Sequence, residues 1–149
     1  MYFVIVVALM LVCPLASIGI QCLIDGPGML TAAVVGKWFV FWMVGVRLLL
    51  AGLRQIVQPR YTAEQILGIK DPDSVLIVRE LGFANTAIGS VAAASLFFRG
   101  WVLPMAVVGA IFYAFAGINH VTHKRRNKLQ TIAMYSDLFA AAVLLTLCL

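Results

Sequence analysis

Polar and ionisable side chains lie inside several long apolar segments of this 149-residue chain. The six that could do chemistry are Arg47, Glu80, Asn85, Asn119, His120 and Asp137. A charged side chain near the centre of a bilayer costs several kcal/mol, so such residues are rare in spanning helices and are usually paired or functional. Arginine and amides can anchor or orient a ligand, whereas carboxylates and imidazole can also hold protons. These six residues are therefore candidates for ligand binding or for a proton relay.

The composition indicates a membrane protein. Hydrophobic residues make up 63% of the chain and charged residues 11%, whereas a soluble domain carries about 25% charged residues. The chain is too short to add a soluble domain, so we expect a single all-α integral membrane bundle over residues 1–149. The net charge of +5 comes from basic residues at helix ends and in loops. They indicate contact with the lipid bilayer rather than with nucleic acid.

Apolar runs predict five transmembrane helices. They cover about residues 2–23, 37–57, 73–98, 101–121 and 129–149, and each is close to the ~20 residues that a spanning helix needs. Asp71 is the expected cap of the third helix, because Pro72 suits a first helical position. Thr62 and Gln65 have the spacing of a capping box, which predicts a short interfacial helix near 62–68 that ends at Gly68.

The distribution of basic residues predicts the orientation of the bundle. Arg60 and Lys70 lie in the loop after the second span, and four basic residues lie in the loop 123–128 after the fourth. With five spans these two loops fall on the same side, while the opposite loops contain only Lys37 and Arg99. The positive-inside rule then places the N-terminus inside and the C-terminus outside. We expect a multi-pass protein of the bacterial cytoplasmic (inner) membrane.

On this topology the six polar residues form one layer in the inner leaflet. The helical rise of 1.5 Å per residue places all of them within about 15 Å of the cytoplasmic side. Because a lipid-facing position would be costly, we expect the layer to face the bundle interior or a subunit interface. The depths suggest that Arg47 pairs with Asp137, and Glu80 with His120 or Arg54.

Three functions fit this layer. In the first, the protein binds or transports a small ligand or protons: Arg47 anchors an anion or neutralises Asp137, Glu80 and His120 titrate, and the two asparagines orient ligand or water. In the second, the layer only holds helices together in an accessory or assembly subunit of a larger membrane complex. In the third, a membrane enzyme acts on a lipid or quinone with Glu80 and His120 as acid and base. The sequence does not require catalysis. Whether the six residues surround a void or pack against one another would discriminate among these three functions.

Small residues recur at helical spacing on the last three spans. On the third span they are Gly82, Thr86, Gly89 and Ala93. Such stripes let helix backbones approach closely. They predict tight helix packing and are compatible with a homo-oligomer.

No cofactor is predicted. His120 and His123 form an HxxH pattern, which on a helix would put both imidazoles on one face. No further motif closes a ligand set around them, so we do not predict a metal. The sequence also contains no Walker A, GxSxG, GxGxxG or CxxCH pattern. It therefore has no motif that predicts nucleotide binding, hydrolase activity or covalent haem attachment.

Three short stretches resemble an uncharacterised family of small bacterial membrane proteins with a domain of unknown function. They are Arg79-Glu80-Leu81-Gly82-Phe83-Ala84-Asn85, Gly117-Ile118-Asn119-His120 and Tyr135-Ser136-Asp137-Leu138. The resemblance covers roughly residues 45–144 and implies that the polar cluster is the signature of the family. More distantly, the layout is similar to that of DoxX-like membrane proteins, with one span more than their four helices. Neither resemblance brings an activity, because function does not follow from fold.

Overall fold

The computed structural model describes residues 2–123 and 126–148, and it is helical almost throughout. Its helices are α1 (Tyr2–Asp25), α2 (Ala32–Val57), α3 (residues 59–67), α4 (Ser74–Ala94), α5 (Arg99–Thr122) and α6 (Lys128–Thr146). All except α3 are long and apolar enough to cross a membrane. Lys124 and Arg125 of the predicted basic loop, and Leu149 at the predicted end of the last span, lie outside the described residues.

Two predicted helix boundaries are wrong by four or five residues. α2 begins at Ala32 rather than near residue 37, because the side chain of Thr31 caps it by accepting a hydrogen bond from Val34 N at 3.3 Å. α4 ends at Ala94 rather than near residue 98, and the buried Ser95 hydroxyl closes it by donating to Ala92 O. A cap satisfies backbone groups that a helix end leaves free, so these polar side chains set the boundaries.

The short helix predicted near 62–68 is present as α3, but its predicted capping box is wrong. The helix begins at Pro59, whose fixed φ suits a first helical position, so Thr62 lies inside the helix and is buried. Gly68 ends α3 with a φ of 73°, a left-handed conformation that glycine adopts without strain. A capping box does occur at the start of α6, between Asn127 and Gln130. The amides of these two residues also donate to carbonyls at the end of α3.

Two of the five long apolar helices contain a wider π-helical turn. In α1 this segment is Ala8–Val12, and it directly precedes the buried Pro14. Proline lacks an N–H and crowds the preceding turn, which explains the wider turn there. In α2 the segment is Val40–Val46, and it ends immediately before Arg47. π-Helical turns occur mostly as single insertions in α-helices and often mark functional sites.

α2 lies at the centre of the bundle and contacts α1, α4 and α5. Its backbone approaches α4 so closely that a Cβ added to Gly89 would lie 2.6 Å from Leu49 N. A Cβ on Gly52 would lie 2.7 Å from Gly82 O. The predicted small-residue stripe on α4 is therefore confirmed as a packing surface, and its partners on α2 are also glycines.

Candidate functional site

Arg47 and Asp137 form an ion pair inside the bundle. Arg47 Nη2 donates to Asp137 Oδ1 at 2.6 Å and to the Ser136 hydroxyl at 2.9 Å, which joins α2 to α6. The exposed fractions of the two charged side chains are 12% and 9%. This pairing was predicted from the sequence and is confirmed. The pair carries no net charge, which lowers the cost of placing both groups in an apolar interior.

The ring of Tyr113 on α5 packs against the Arg47 guanidinium. Its ring centroid lies 4.6 Å from Arg47 Cζ, a cation–π distance. Its hydroxyl donates to the carbonyl oxygen of Met43 at 2.5 Å. In the π-helical segment the N–H of Arg47 donates to Trp42 O and Val44 O rather than to Met43 O. The wider turn thus leaves the buried Met43 carbonyl without a hydrogen bond from the Arg47 N–H. The Tyr113 hydroxyl donates to that carbonyl, while its ring packs against the guanidinium.

One side of the guanidinium forms no hydrogen bond with the described residues. Its Nη1 atom is buried and has no acceptor among them. The hydroxyl of the half-buried Tyr2, at the start of α1, lies within interaction range of the Arg47 side chain but does not meet it with hydrogen-bond geometry. A buried charged donor without an acceptor costs free energy, so this position favours a water molecule or a ligand with an acceptor atom.

Asn85 belongs to a second polar contact. Its Nδ2 donates to Gln55 Oε1 at 2.8 Å, and both side chains are buried between α4 and α2. Asn85 Oδ1 is buried without a hydrogen-bond partner among the described residues. Such amide contacts hold membrane helices together, and here the contact lies beside the close glycine packing of the same two helices.

The other three predicted site residues do not join this cluster. Glu80 and Asn119 are exposed on the outside of the bundle, and His120 is half-buried. Neither His120 nor Arg54 forms a hydrogen bond or ion pair with Glu80 in the described structure, so that predicted pairing is wrong. Arg54 instead stacks on Tyr61, 3.8 Å from its ring centroid. The polar residues were expected to face either the bundle interior or a subunit interface. For Glu80 and Asn119, which do not face the interior, the subunit interface stays a prediction.

The HxxH pattern does not form one helical face. α5 ends at Thr122, and His123 already has an extended backbone with φ −78° and ψ 107°. Only His120 therefore belongs to the helix. Its imidazole lies within the range of electrostatic interaction with the Asp137 carboxyl group.

Three cavities of the described structure can be compared with the predicted site, and none of these three is lined by any of the six predicted site residues. Their volumes are about 410, 350 and 240 Å³. The first of them lies between α2 and α5 at the end of the bundle opposite to α3. None of the three therefore adjoins the Arg47–Asp137 ion pair.

The sequence analysis missed four residues of these polar contacts: Tyr2, Gln55, Tyr113 and Ser136. The signal for Tyr113 was its position in the middle of a long apolar helix, where a tyrosine needs a partner for its hydroxyl. Its position seven residues before His120 put both on one face of α5. Ser136 is adjacent to Asp137 in the sequence, and small hydroxyl residues commonly donate or accept between membrane helices.

Comparison with known proteins shows the family alone. No curated protein and no solved structure matches the chain. One family model does match, and it covers residues 1–149. This agrees with the resemblance to an uncharacterised family that the motifs around Glu80, Asn119 and Asp137 carry. The chain belongs to the family of unknown function DUF6790.

Proposed function

We propose that this protein is a multi-pass protein of the bacterial inner membrane that binds a small neutral ligand beside Arg47. The N-terminus lies in the cytoplasm and the C-terminus outside, because the basic residues are concentrated at the end of the bundle that includes α3. The five long apolar helices support insertion into a membrane. The similarity in layout to DoxX-like proteins belongs to this proposal as well.

The observation that carries the proposal is the unpartnered, buried Nη1 of Arg47. Nη2 is already held by Asp137 and Ser136, so the guanidinium is fixed in place with one free side. The Arg47–Asp137 pair is neutral, and a second anion would leave a net negative charge in a medium of low dielectric constant. A neutral group with an acceptor oxygen, such as a carbonyl or water, satisfies Nη1 without that cost.

The residues around Arg47 would have separate roles. Asp137 and Ser136 orient the guanidinium, the Tyr113 ring packs against it and fixes its position, and Tyr2 provides a hydroxyl beside it. Proton movement through this site would use His120, which lies within electrostatic range of Asp137. Transport of a ligand would require the Arg47–Asp137 contact to open, because the pair fills the space between α2 and α6.

Native mass spectrometry of the protein released from bacterial membranes in mild detergent tests this proposal. We expect a reproducible extra mass on the wild-type protein that the double variant Arg47→Gln/Asp137→Asn loses. Removing both charges together avoids a lone buried charge, so the double variant should fold. Arg60→Gln, which removes an exposed arginine, is the control and should keep the extra mass. A bare wild-type mass, or an extra mass that the double variant keeps, would contradict binding at Arg47.

A second candidate function is favoured by the exposed Glu80 and Asn119. Both lie within spanning helices, where exposure to lipid is costly, so a partner helix would cover them. The partner would be a second copy of this chain or another subunit of a larger membrane complex. In the same experiment this candidate predicts a multiple of the chain mass or an added protein mass. That assembly should dissociate in Glu80→Ala and Asn119→Ala.

A further inference from the structure

The cavity between the beginnings of α2 and α5 has the lining of an anion site. It has a volume of about 410 Å³, within the range of ~300–1,000 Å³ that is typical of ligand pockets. Two cations, Lys37 from α2 and Arg99 from α5, lie on its wall, and the side chains lining it include no carboxylate. Its apolar part is formed by Val34, Val102, Leu103, Ala106 and Leu147.

The two cations are notable because of the end of the bundle at which they lie. The chain has 11 lysines and arginines, and of those that the structure describes only Lys37 and Arg99 belong to the end that is opposite to α3. Both line the same cavity, and the charge of Arg99 acts on the Lys37 ammonium. Two like charges that converge without an acid between them repel each other, and a bound anion would relieve that repulsion.

Both cations have donors to offer. Lys37 Nζ donates to Gln21 Oε1 at 2.7 Å and lies 4.7 Å from the centroid of the Trp38 ring. An ammonium has three N–H groups, so two remain for a ligand. Arg99 is exposed and forms no hydrogen bond or ion pair with the residues that the structure describes. Asp25, whose charge acts on Lys37, does not line this cavity but lines a neighbouring one of about 350 Å³, which Lys37 also borders.

We infer that this cavity binds a phosphate group, with Lys37 and Arg99 as its ligands. Arginine and lysine form short, charge-assisted hydrogen bonds to phosphate oxygens, and a guanidinium can donate two in parallel. The apolar part of the wall would contact the first carbons of a chain attached to that phosphate. The phosphate would therefore come from a membrane lipid or from solution. This site is separate from Arg47 and does not depend on ligand binding there.

Lipid retention on the intact protein distinguishes these outcomes. The protein is placed in nanodiscs that contain phosphatidylglycerol and phosphatidylethanolamine, released, and weighed by native mass spectrometry. We expect bound lipid on the wild type and a decrease of about tenfold or more in Lys37→Gln/Arg99→Gln, since two charge-assisted contacts are lost. Inorganic phosphate titrated onto lipid-free protein gives the second arm. Binding of phosphate alone that the same variant loses assigns the site to a free anion.

Two further variants separate binding from folding. Arg60→Gln/Lys70→Gln removes the same number of charges from exposed positions at the other end, so it should keep the lipid or phosphate that is bound at Lys37 and Arg99. Gly36→Leu keeps both cations, and its Cβ has ordinary space at 3.7 Å from Val102 Cγ1, but its side chain would occupy the cavity. It should also lose the ligand. Equal retention in all variants, or neither lipid nor phosphate on the wild type, would overturn the assignment.

Discussion

Neutralising Arg47 or Asp137 alone should destabilise the bundle far more than neutralising both together. The two side chains are 12% and 9% exposed and 2.6 Å apart. Removing one partner of a buried pair leaves an uncompensated charge and typically costs about 3–5 kcal/mol. Arg47→Gln leaves the Asp137 carboxylate in that state, and Asp137→Asn does the same to the guanidinium. We expect each single variant to lose stability in this range.

The double variant Arg47→Gln/Asp137→Asn keeps two amides that can bond to each other. A neutral hydrogen bond contributes about 0.5–1.5 kcal/mol, and the cost of burying two charges disappears. The double variant should therefore be more stable than either single variant, with a coupling energy of about 3 kcal/mol or more. Hydrogen bonds between membrane helices couple by about 0.6 kcal/mol on average and by up to about 1.7. A value above that limit identifies an ion pair rather than an ordinary polar contact.

Reversible unfolding in mixed micelles with increasing dodecyl sulfate measures these free energies, with the fluorescence of Trp38 and Trp42 as the signal. Arg60→Gln is the matched control, because an exposed side chain should change the stability by less than about 0.5 kcal/mol. Additive single effects, within about 0.5 kcal/mol, would refute the reasoning. They would mean that each charge finds water or lipid headgroups when its partner is absent.

Two further predictions use the same unfolding assay. Gly89→Ala should destabilise the protein by about 1–3 kcal/mol, because its Cβ would lie 2.6 Å from a backbone nitrogen of α2. Gly19→Ala, with nothing within 4 Å, should instead stabilise α1 by about 0.5–1 kcal/mol, and the opposite order would exclude tight glycine packing between α2 and α4. Tyr113→Phe should cost about 1–3 kcal/mol, because the carbonyl of Met43 loses its donor. No measurable loss would mean that water replaces the hydroxyl.

The depth of each polar residue in the bundle could be predicted from the sequence. The sequence also indicates the direction in which each side chain points around its helix, and the predictions used that information only in part. Arg47 and Asp137 are opposite charges at similar depth, and depth alone was enough to pair them. Glu80 lies two residues before Gly82 on α4, which is about 200° around a helix. The glycine stripe packs on α2, so Glu80 had to point away from it. Asn119 has the same relation to Gly117 on α5, and the structure exposes both polar residues.

Directions on α2 could not be predicted because the helix does not keep one period. The π-helical segment Val40–Val46 is equivalent to one inserted residue, which rotates everything after it by about 100° relative to a regular helix. Extrapolation at 3.6 residues per turn from Lys37 therefore assigns the wrong face to Arg47. The rotation lets Lys37 reach Gln21 on α1 while Arg47 reaches Asp137 on α6. No apolar periodicity in this uniformly hydrophobic segment records such an insertion, so only the packed structure shows which helices the two cations meet.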